Sequence, residues 1–266
     1  MNFEFIEKKT DGREYLLPSP LNTDFSFAAF TSKVGGFSHG KIEGLNLGFR
    51  VGDEKENVYK NYRAVASDLG FDLDKAVLAR QTHTDNIRIV TEDDLGKGIT
   101  KESDITDTDG LITDIKGATL IIFAADCMPV LFLDPKKKVV AAAHSGWRGT
   151  VKKIAAKTVR LMKSEFGSEP EDILAAVGPS IGKCCFEVDE DAAFCFDKRY
   201  RIPKSGGKYH VDLWSAVRDM LEREGVPPQN IGVSGVCTIC HSDKYYSYRA
   251  HKDRAGRCAG TIGIRR

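Results

Sequence analysis

Two long apolar runs separated by a basic turn constrain this chain most: "ATLIIFAADCMPVLFLD" (Ala118 to Asp134) and "KVVAAAHSGW" (Lys138 to Trp147). Their β-branched and aromatic residues, bounded by Gly, Asp and Pro, read as strands. Strands must pair, so the chain folds around a sheet. Each run also carries a reactive side chain, Cys127 after "LIIFAAD" and His144 after "VVAAA". Further strands are expected in "FSFAAFTSK", "AVLARQTHTDNIRIV", "DGLITD", "DILAAVGPSI" and "IGVSGVC". Helices are expected in "KENVYKNYRAVASDLG", "GTVKKIAAKTVRLMKSEFGS", "DEDAAFCF" and "VDLWSAVRDMLEREGV". The first two place apolar residues at helical spacing and stop at glycine. Asp212 is positioned to cap the fourth. Strands and helices mix without strict βαβ alternation. The expected fold class is therefore α/β, a layered α-β sandwich with mixed sheets, not a Rossmann fold.

No internal repeat or linker interrupts the 266 residues, so residues 1–266 read as a single catalytic domain. The densest breaker cluster, "RIPKSGGKYH", reads as a surface loop. A net charge of +1 gives no general pull toward nucleic acid or anionic membranes. No run approaches the roughly 18 to 20 apolar residues of a membrane span. The charged start "MNFEFIEKKTDGREYLLP" lacks the pattern of a signal peptide. A cytoplasmic location is the expectation, and there the seven cysteines would be thiols or metal ligands.

Three elements carry chemistry. Cys127 lies where a strand leaves the core, between Asp126 and Pro129. His144 precedes a Ser-Gly turn and a helix start, where free N–H groups suit an anion. Ser145, Arg148 and Thr150 lie in that turn, and Trp147 offers a flat apolar face. Gln81 and His83 share one strand face by the two-residue period. His83, Cys127 and His144 together form a recognised catalytic zinc set with a fourth position open. The rival chemistry is Cys127 as nucleophile with His144 as base, and spacing does not separate the two. "CTICH" could supply metal ligands or a redox pair from Cys237, Cys240 and His241, but ordinary thiols are the expectation. Cys184 and Cys185 are read as strand neighbours facing opposite ways, unable to hold one ion together.

The chain resembles the YfiH-like family. The resemblance rests on "GGFSHG", "GLNLGFRVGD", "VYKNYRAVASDLG", "RQTHTDNI", "TDGLITD", "ADCMPVLFLDP", "AAAHSGWRGT", "GPSIGKCCFEV" and "CTICHSDKYYSYRAHKDRAGRCAG", in that order over nearly the whole chain. This family is also called the laccase-domain or multicopper polyphenol oxidase family, and is regarded as zinc-dependent purine nucleoside phosphorylases. The resemblance implies a YfiH-like sandwich and a zinc centre of His83, Cys127 and His144. It implies phosphorolysis of adenosine, inosine and methylthioadenosine to base and ribose 1-phosphate, with adenosine deamination as a second activity. Asp126, Cys127 and His144 are the catalytic candidates. Asn46, Gln81, Arg148, Arg249 and Arg257 are the candidates for substrate and phosphate. The expected partners are small molecules, a nucleoside and phosphate, with the protein a monomer or homodimer. The sequence departs from the family's common pattern at Arg50, where many relatives carry histidine, and adds Cys240. Two alternatives stand beside this reading. One is a copper-dependent polyphenol oxidase, disfavoured because Met128 should point away from Cys127 and because His39, His210, His241 and His251 are scattered. The other is a cysteine hydrolase using Cys127 and His144. A metal-binding protein without turnover is a further class.

Overall fold

A computed structural model describes residues 3–266. The chain begins with a hairpin, β1 (Phe5–Thr10) and β2 (Arg13–Pro18), followed by β3 (Ser26–Thr31). The hairpin turn is Asp11-Gly12, both at positive φ, as a two-residue hairpin loop requires. Helix α1 (Lys55–Leu69) buries Val58, Tyr62, Val65 and Leu69 on one face and stops at Gly70 in the left-handed conformation, φ 74°. Next come β4 (Ala76–Leu78), β5 (Ile87–Ile89), β6 (Gly110–Thr113), β7 (Thr119–Ala124), β8 (Met128–Asp134) and β9 (Val139–Ser145). Helices α2 (Trp147–Val151) and α3 (Ile154–Phe166) precede β10 (Leu174–Val177), β11 (Glu187–Val188) and the short α4 (Glu190–Ala193). Strands β12 (Arg201–Pro203) and β13 (Tyr209–Val211) lead to α5 (Leu213–Arg223), β14 (Ile231–Val233), α6 (Tyr248–His251) and β15 (Cys258–Ile264).

Two six-stranded mixed sheets stack face to face. The first has the order β1-β2-β3-β15-β7-β4, the second β14-β10-β8-β9-β6-β5. Alternation along each strand sorts the core into layers. Leu120, Ile122 and Ile262 of the first sheet meet Leu131, Leu133 and Val140 of the second. Ile121 and Phe27 point the other way, onto α1. Val130, Phe132 and Ala141 point onto α3 and α5. The result is helix, sheet, sheet, helix. Among the described residues no helix is long and apolar enough to cross a membrane.

Both of the longest expected strands are broken, and the breaks position the site. Residues 76–90 give β4 in the first sheet and β5 in the second, with 79–86 crossing between them. Residues 118–134 give β7 in the first sheet and β8 in the second, with Ala125-Asp126-Cys127 as the crossing. The expected helix over 149–168 starts earlier and breaks at Lys153, whose φ is 63°. The expected loop 201–210 is a β-hairpin, with β12 and β13 antiparallel. Strand β15, the centre of the first sheet, has no sequence counterpart above because glycine interrupts it. A Cβ on Gly260 would lie 2.9 Å from Pro129 Cβ, so glycine permits the two sheets to close.

The 88–97 segment is pinned by Asp94, which is fully buried. It accepts bonds from Arg88, Lys97 and the Thr91 backbone N–H at 3.0–3.1 Å. Burial alone would raise its pKa, but these partners outweigh it and hold the carboxyl at about 2. A depressed folded-state pKa stabilises the protein above the ordinary carboxylate value of about 3.9, and the gain is lost as pH falls toward 2. Asp94→Ala is expected to cost about 1–2 kcal/mol near neutrality. Denaturant titrations of both proteins should converge as pH drops from about 4 to 2. A difference that grows with acid would contradict this.

Candidate metal centre and active site

Strand register brings the site residues to one end of the second sheet. Antiparallel β8 and β9 pair Pro129 with His144, so Cys127 lies just beyond the pair. Strand β6 pairs Gly110 with Ala143, which sets Asp109 beside His144. Parallel β5 and β6 pair Ile87 with Gly110, which draws the crossing at 82–86 over the same edge. The candidate ligand atoms of His83, Cys127 and His144 all lie within 4.8 Å of one another. Cys127 Sγ is 3.9 Å from His83 Nε2, and the two imidazoles stand edge to face with centroids 5.0 Å apart.

Asp109 organises this trio, and sequence reasoning missed it. It is fully buried. Its Oδ1 accepts from His144 Nδ1 at 2.7 Å and from the His83 backbone N–H at 3.0 Å. Its Oδ2 accepts from the Thr82 and Thr84 backbone N–H groups and the Thr84 hydroxyl. Burial would raise its pKa, but His144 and the Thr84 N–H outweigh that and bring it to about 2. A carboxylate can only accept, so His144 donates from Nδ1 and turns Nε2 toward Cys127, the arrangement that orients metal-binding histidines. The same bonds hold His83 at φ 65°, so Gln81 and His83 do not share a strand face as expected. Cys127 follows Asp126, itself at φ 82°. Two non-glycine residues in the left-handed region at adjoining crossings are the strain that functional sites retain.

The space between His83 and Cys127 is shaped by Gly146. A Cβ there would lie 2.8 Å from Cys127 Sγ and 3.2 Å from His83 Cδ2. Burial alone would raise the Cys127 thiol, but His144 and then His83 bring it down to about 6. Against its own burial, His144 is lifted to about 9 by Cys127 and Asp109. Two imidazoles and a readily ionised thiol, with one imidazole fixed by a carboxylate, fit a tetrahedral zinc or copper ion with one position open.

The trio lies in the wall of a cavity of about 990 Å³. Its lining carries five cationic side chains, Arg50, Arg80, Arg249, Lys252 and Arg257, against a single acidic one, Asp126. Phe49, Phe123, Trp147, Phe186 and Tyr248 supply flat apolar surface. Arg80 and Lys252 were not anticipated, because surface arginines and lysines carry no local signal.

The other expected site residues divide. Arg249 and Arg257 line the cavity. Arg249 also donates to Glu187 O at 2.6 Å, and Arg257 to Ala255 O and Gly256 O at 2.9 Å. Asp126 lines it too, but both its oxygens accept protein bonds, from Thr238 Oγ1 and from the Arg249 backbone N–H, each at 2.7 Å. Gln81 also lines the cavity, and pairs both ends of its amide with the Phe123 backbone, at 3.0 and 2.7 Å, in place of a strand neighbour. Asn46 is fully buried outside the cavity lining and holds Gly48, Asp53 and the Arg257 N–H. Arg148 is exposed outside the lining, its guanidinium 4.3 Å from the Trp147 ring centroid. The turn expected to suit an anion opens α2, whose N-cap Gly146 makes no side-chain cap bond. Ser145 and Thr150 are buried and bond each other at 2.9 Å, since the first helical turn packs inward. Met128 is buried in the core, away from the cavity lining. Cys184 and Cys185 lie in a turn, not a strand, and both thiols face Cys240.

Comparison with known proteins agrees with this architecture. The family model described as multi-copper polyphenol oxidoreductase laccase matches residues 27–265. The chain is 36% identical over 248 residues to the purine nucleoside phosphorylase YlmD of Bacillus subtilis, covering 90% of this chain and 88% of that protein. It is 35% identical over 223 residues to the adenosine deaminase RL5 of an unknown prokaryotic organism, covering 80% and 84%. The crystal structure of YlmD from Geobacillus stearothermophilus superposes with a TM-score of 0.90 at 34% identity, covering 99% of both chains. That of the Bacillus licheniformis hypothetical protein YfiH gives 0.91 at 34%, covering 97% and 99%. With most of its length matched and the fold shared, the chain belongs to the multi-copper polyphenol oxidoreductase laccase family, the family of YfiH and YlmD.

Proposed function

We propose that this protein is a zinc-dependent purine nucleoside phosphorylase acting on adenosine and inosine, with methylthioadenosine as a further substrate and adenosine deamination as a second reaction. The observation that carries the reading is the pairing of the His83, Cys127 and His144 trio with a cavity whose charged lining is almost wholly cationic. A phosphorylase must hold phosphate and a nucleoside side by side. Relatives named as purine nucleoside phosphorylases and as an adenosine deaminase support the same reading.

His83, Cys127 and His144 would hold the zinc, which when bound supplies a Lewis acid facing the substrate at the open position. Arg249 and Arg257, with Arg80 at the rim, would bind phosphate through charge-assisted hydrogen bonds. Tyr248, Phe186 and Trp147 would flank the purine. Phosphate oxygen bonds to the anomeric carbon as the bond to the base nitrogen breaks. The proton carried by hydrogen phosphate ends on the released base. Asp109 keeps the His144 proton on Nδ1. Asp126 acts as a positioning residue, since its bond to the Arg249 N–H fixes the start of α6. The cysteine-hydrolase reading uses the same low-pKa Cys127 with His144 as base, and predicts alkylation of Cys127 and activity without metal.

Release of base from adenosine and inosine should require phosphate and yield ribose 1-phosphate in equal amount. Arg249→Ala is expected to raise the KM for phosphate about 10-fold or more, the worth of a charge-assisted bond. It should change the KM for nucleoside far less. Ribose instead of ribose 1-phosphate, or an unaltered KM for phosphate, would count against the assignment.

A further inference from the structure

Four of the remaining cysteines come together outside the cavity lining. Cys184 and Cys185 sit in the turn before β11, and Cys237 and Cys240 in the Cys-x-x-Cys turn after β14. Their four sulfurs lie within 4.8 Å of one another. Cys240 Sγ is 3.6 Å from Cys184 Sγ and also 3.6 Å from Cys185 Sγ. A disulfide commits a sulfur to one partner at about 2.05 Å. An equal approach to two partners suits a shared central ion instead. Zinc–sulfur bonds of about 2.3 Å in a tetrahedron place the sulfurs about 3.8 Å apart, close to the spacing seen.

The backbone is also arranged for a thiolate. The Gly182 N–H donates to Cys237 Sγ at 3.3 Å, and the Ile239 and Cys240 amides face the same sulfur. Such N–H groups orient thiolate ligands and offset their charge. The two turns are joined through Ser180, which bridges to Cys237, donates its N–H to Val236 O and accepts from the Thr238 N–H at 3.1 Å.

We propose that Cys184, Cys185, Cys237 and Cys240 form a second metal site, a closed tetrathiolate site for a structural zinc ion. Binding releases the thiol protons to solvent. The site joins the two segments that supply Ile181, Phe186, Tyr248 and Arg249 to the cavity. Its role is to fix that wall. Because a closed site leaves no position for substrate, it takes no part in the chemistry.

The test uses full-length, untagged Cys127→Ala protein, which lacks the first centre, so its result is independent of the proposed activity. About one zinc per chain should remain by elemental analysis. Its X-ray absorption fine structure should show four sulfur neighbours at about 2.3 Å. Cys184→Ser with Cys240→Ser in the same background should remove that zinc. Metal-free Cys127→Ala protein, with thiols free or paired as disulfides, would overturn the proposal. So would a nitrogen or oxygen shell around the retained metal, and iron in place of zinc would overturn the choice of ion.

Discussion

Asp109→Ala is expected to lose metal at the His83, Cys127 and His144 centre and turnover together, the largest effect of any single change outside the ligands. The carboxylate fixes the His144 ring and holds the turn that carries His83. Removing a carboxylate behind a metal-binding histidine lowers metal affinity about 10- to 100-fold. Here His83 and His144 lose support at once, so the upper end of that range is expected. The Thr82, His83 and Thr84 N–H groups would lose their acceptor, at about 1–3 kcal/mol for each that stays buried. Asp109→Asn keeps the shape but supplies one acceptor oxygen, and should fall between the two. Competition with a coloured chelator gives the affinity, and thermal unfolding gives the stability cost. Unchanged zinc affinity in the alanine variant would show that the trio is not held from Asp109.

Gly146→Ala is expected to abolish most activity with the fold intact. Gly146 has φ −66°, so alanine meets no backbone strain. The conflict is with the site, because the new Cβ would lie 2.8 Å from Cys127 Sγ and 3.2 Å from His83 Cδ2. Either Cys127 or His83 must move, and a displacement near 1 Å at a reacting centre costs about 100-fold in rate. Circular dichroism and the unfolding midpoint should stay close to wild type while kcat/KM and zinc affinity drop. Full activity in this variant would place the chemistry elsewhere in the cavity.

What could be read before folding, and what could not, follows from where the information resides. Helix α1 and the cap at Asp212 are local, written in apolar spacing and a stop glycine or a capping carboxylate. Cys127 and His144 stand out because reactive side chains interrupt apolar runs. The crossings at 79–86 and 125–127 are not local. Each lies within a stretch that reads as one strand, and only the stacking of two sheets divides it. Strand β15 was hidden because Gly260 and Gly263 lower its strand character, while their purpose is close approach to Pro129 and Phe27. Asp109 sits in "TDTDG", which reads as a polar turn, and its burial exists only once β5, β6 and β9 are in register. Gln81 and Asn46 stand out by motif as substrate candidates; in the structure Gln81 lines the cavity with its amide paired to the Phe123 backbone, while Asn46 is buried outside the lining. A motif marks that a residue matters without saying whether it touches ligand or loop. Cys184 and Cys185 read as strand neighbours facing opposite ways, but strand alternation does not hold in the turn where they lie.

In the proposed reaction, a metal held by His83, Cys127 and His144 is required for phosphate-dependent cleavage. The most direct test removes metal from the purified protein, measures base release from inosine with phosphate present, and repeats the assay after zinc is restored. Turnover should be lost in the metal-free protein, recover with zinc, and not recover in Cys127→Ala. Turnover that persists in metal-free protein would contradict the metal requirement and leave Cys127 and His144 as a nucleophile and base.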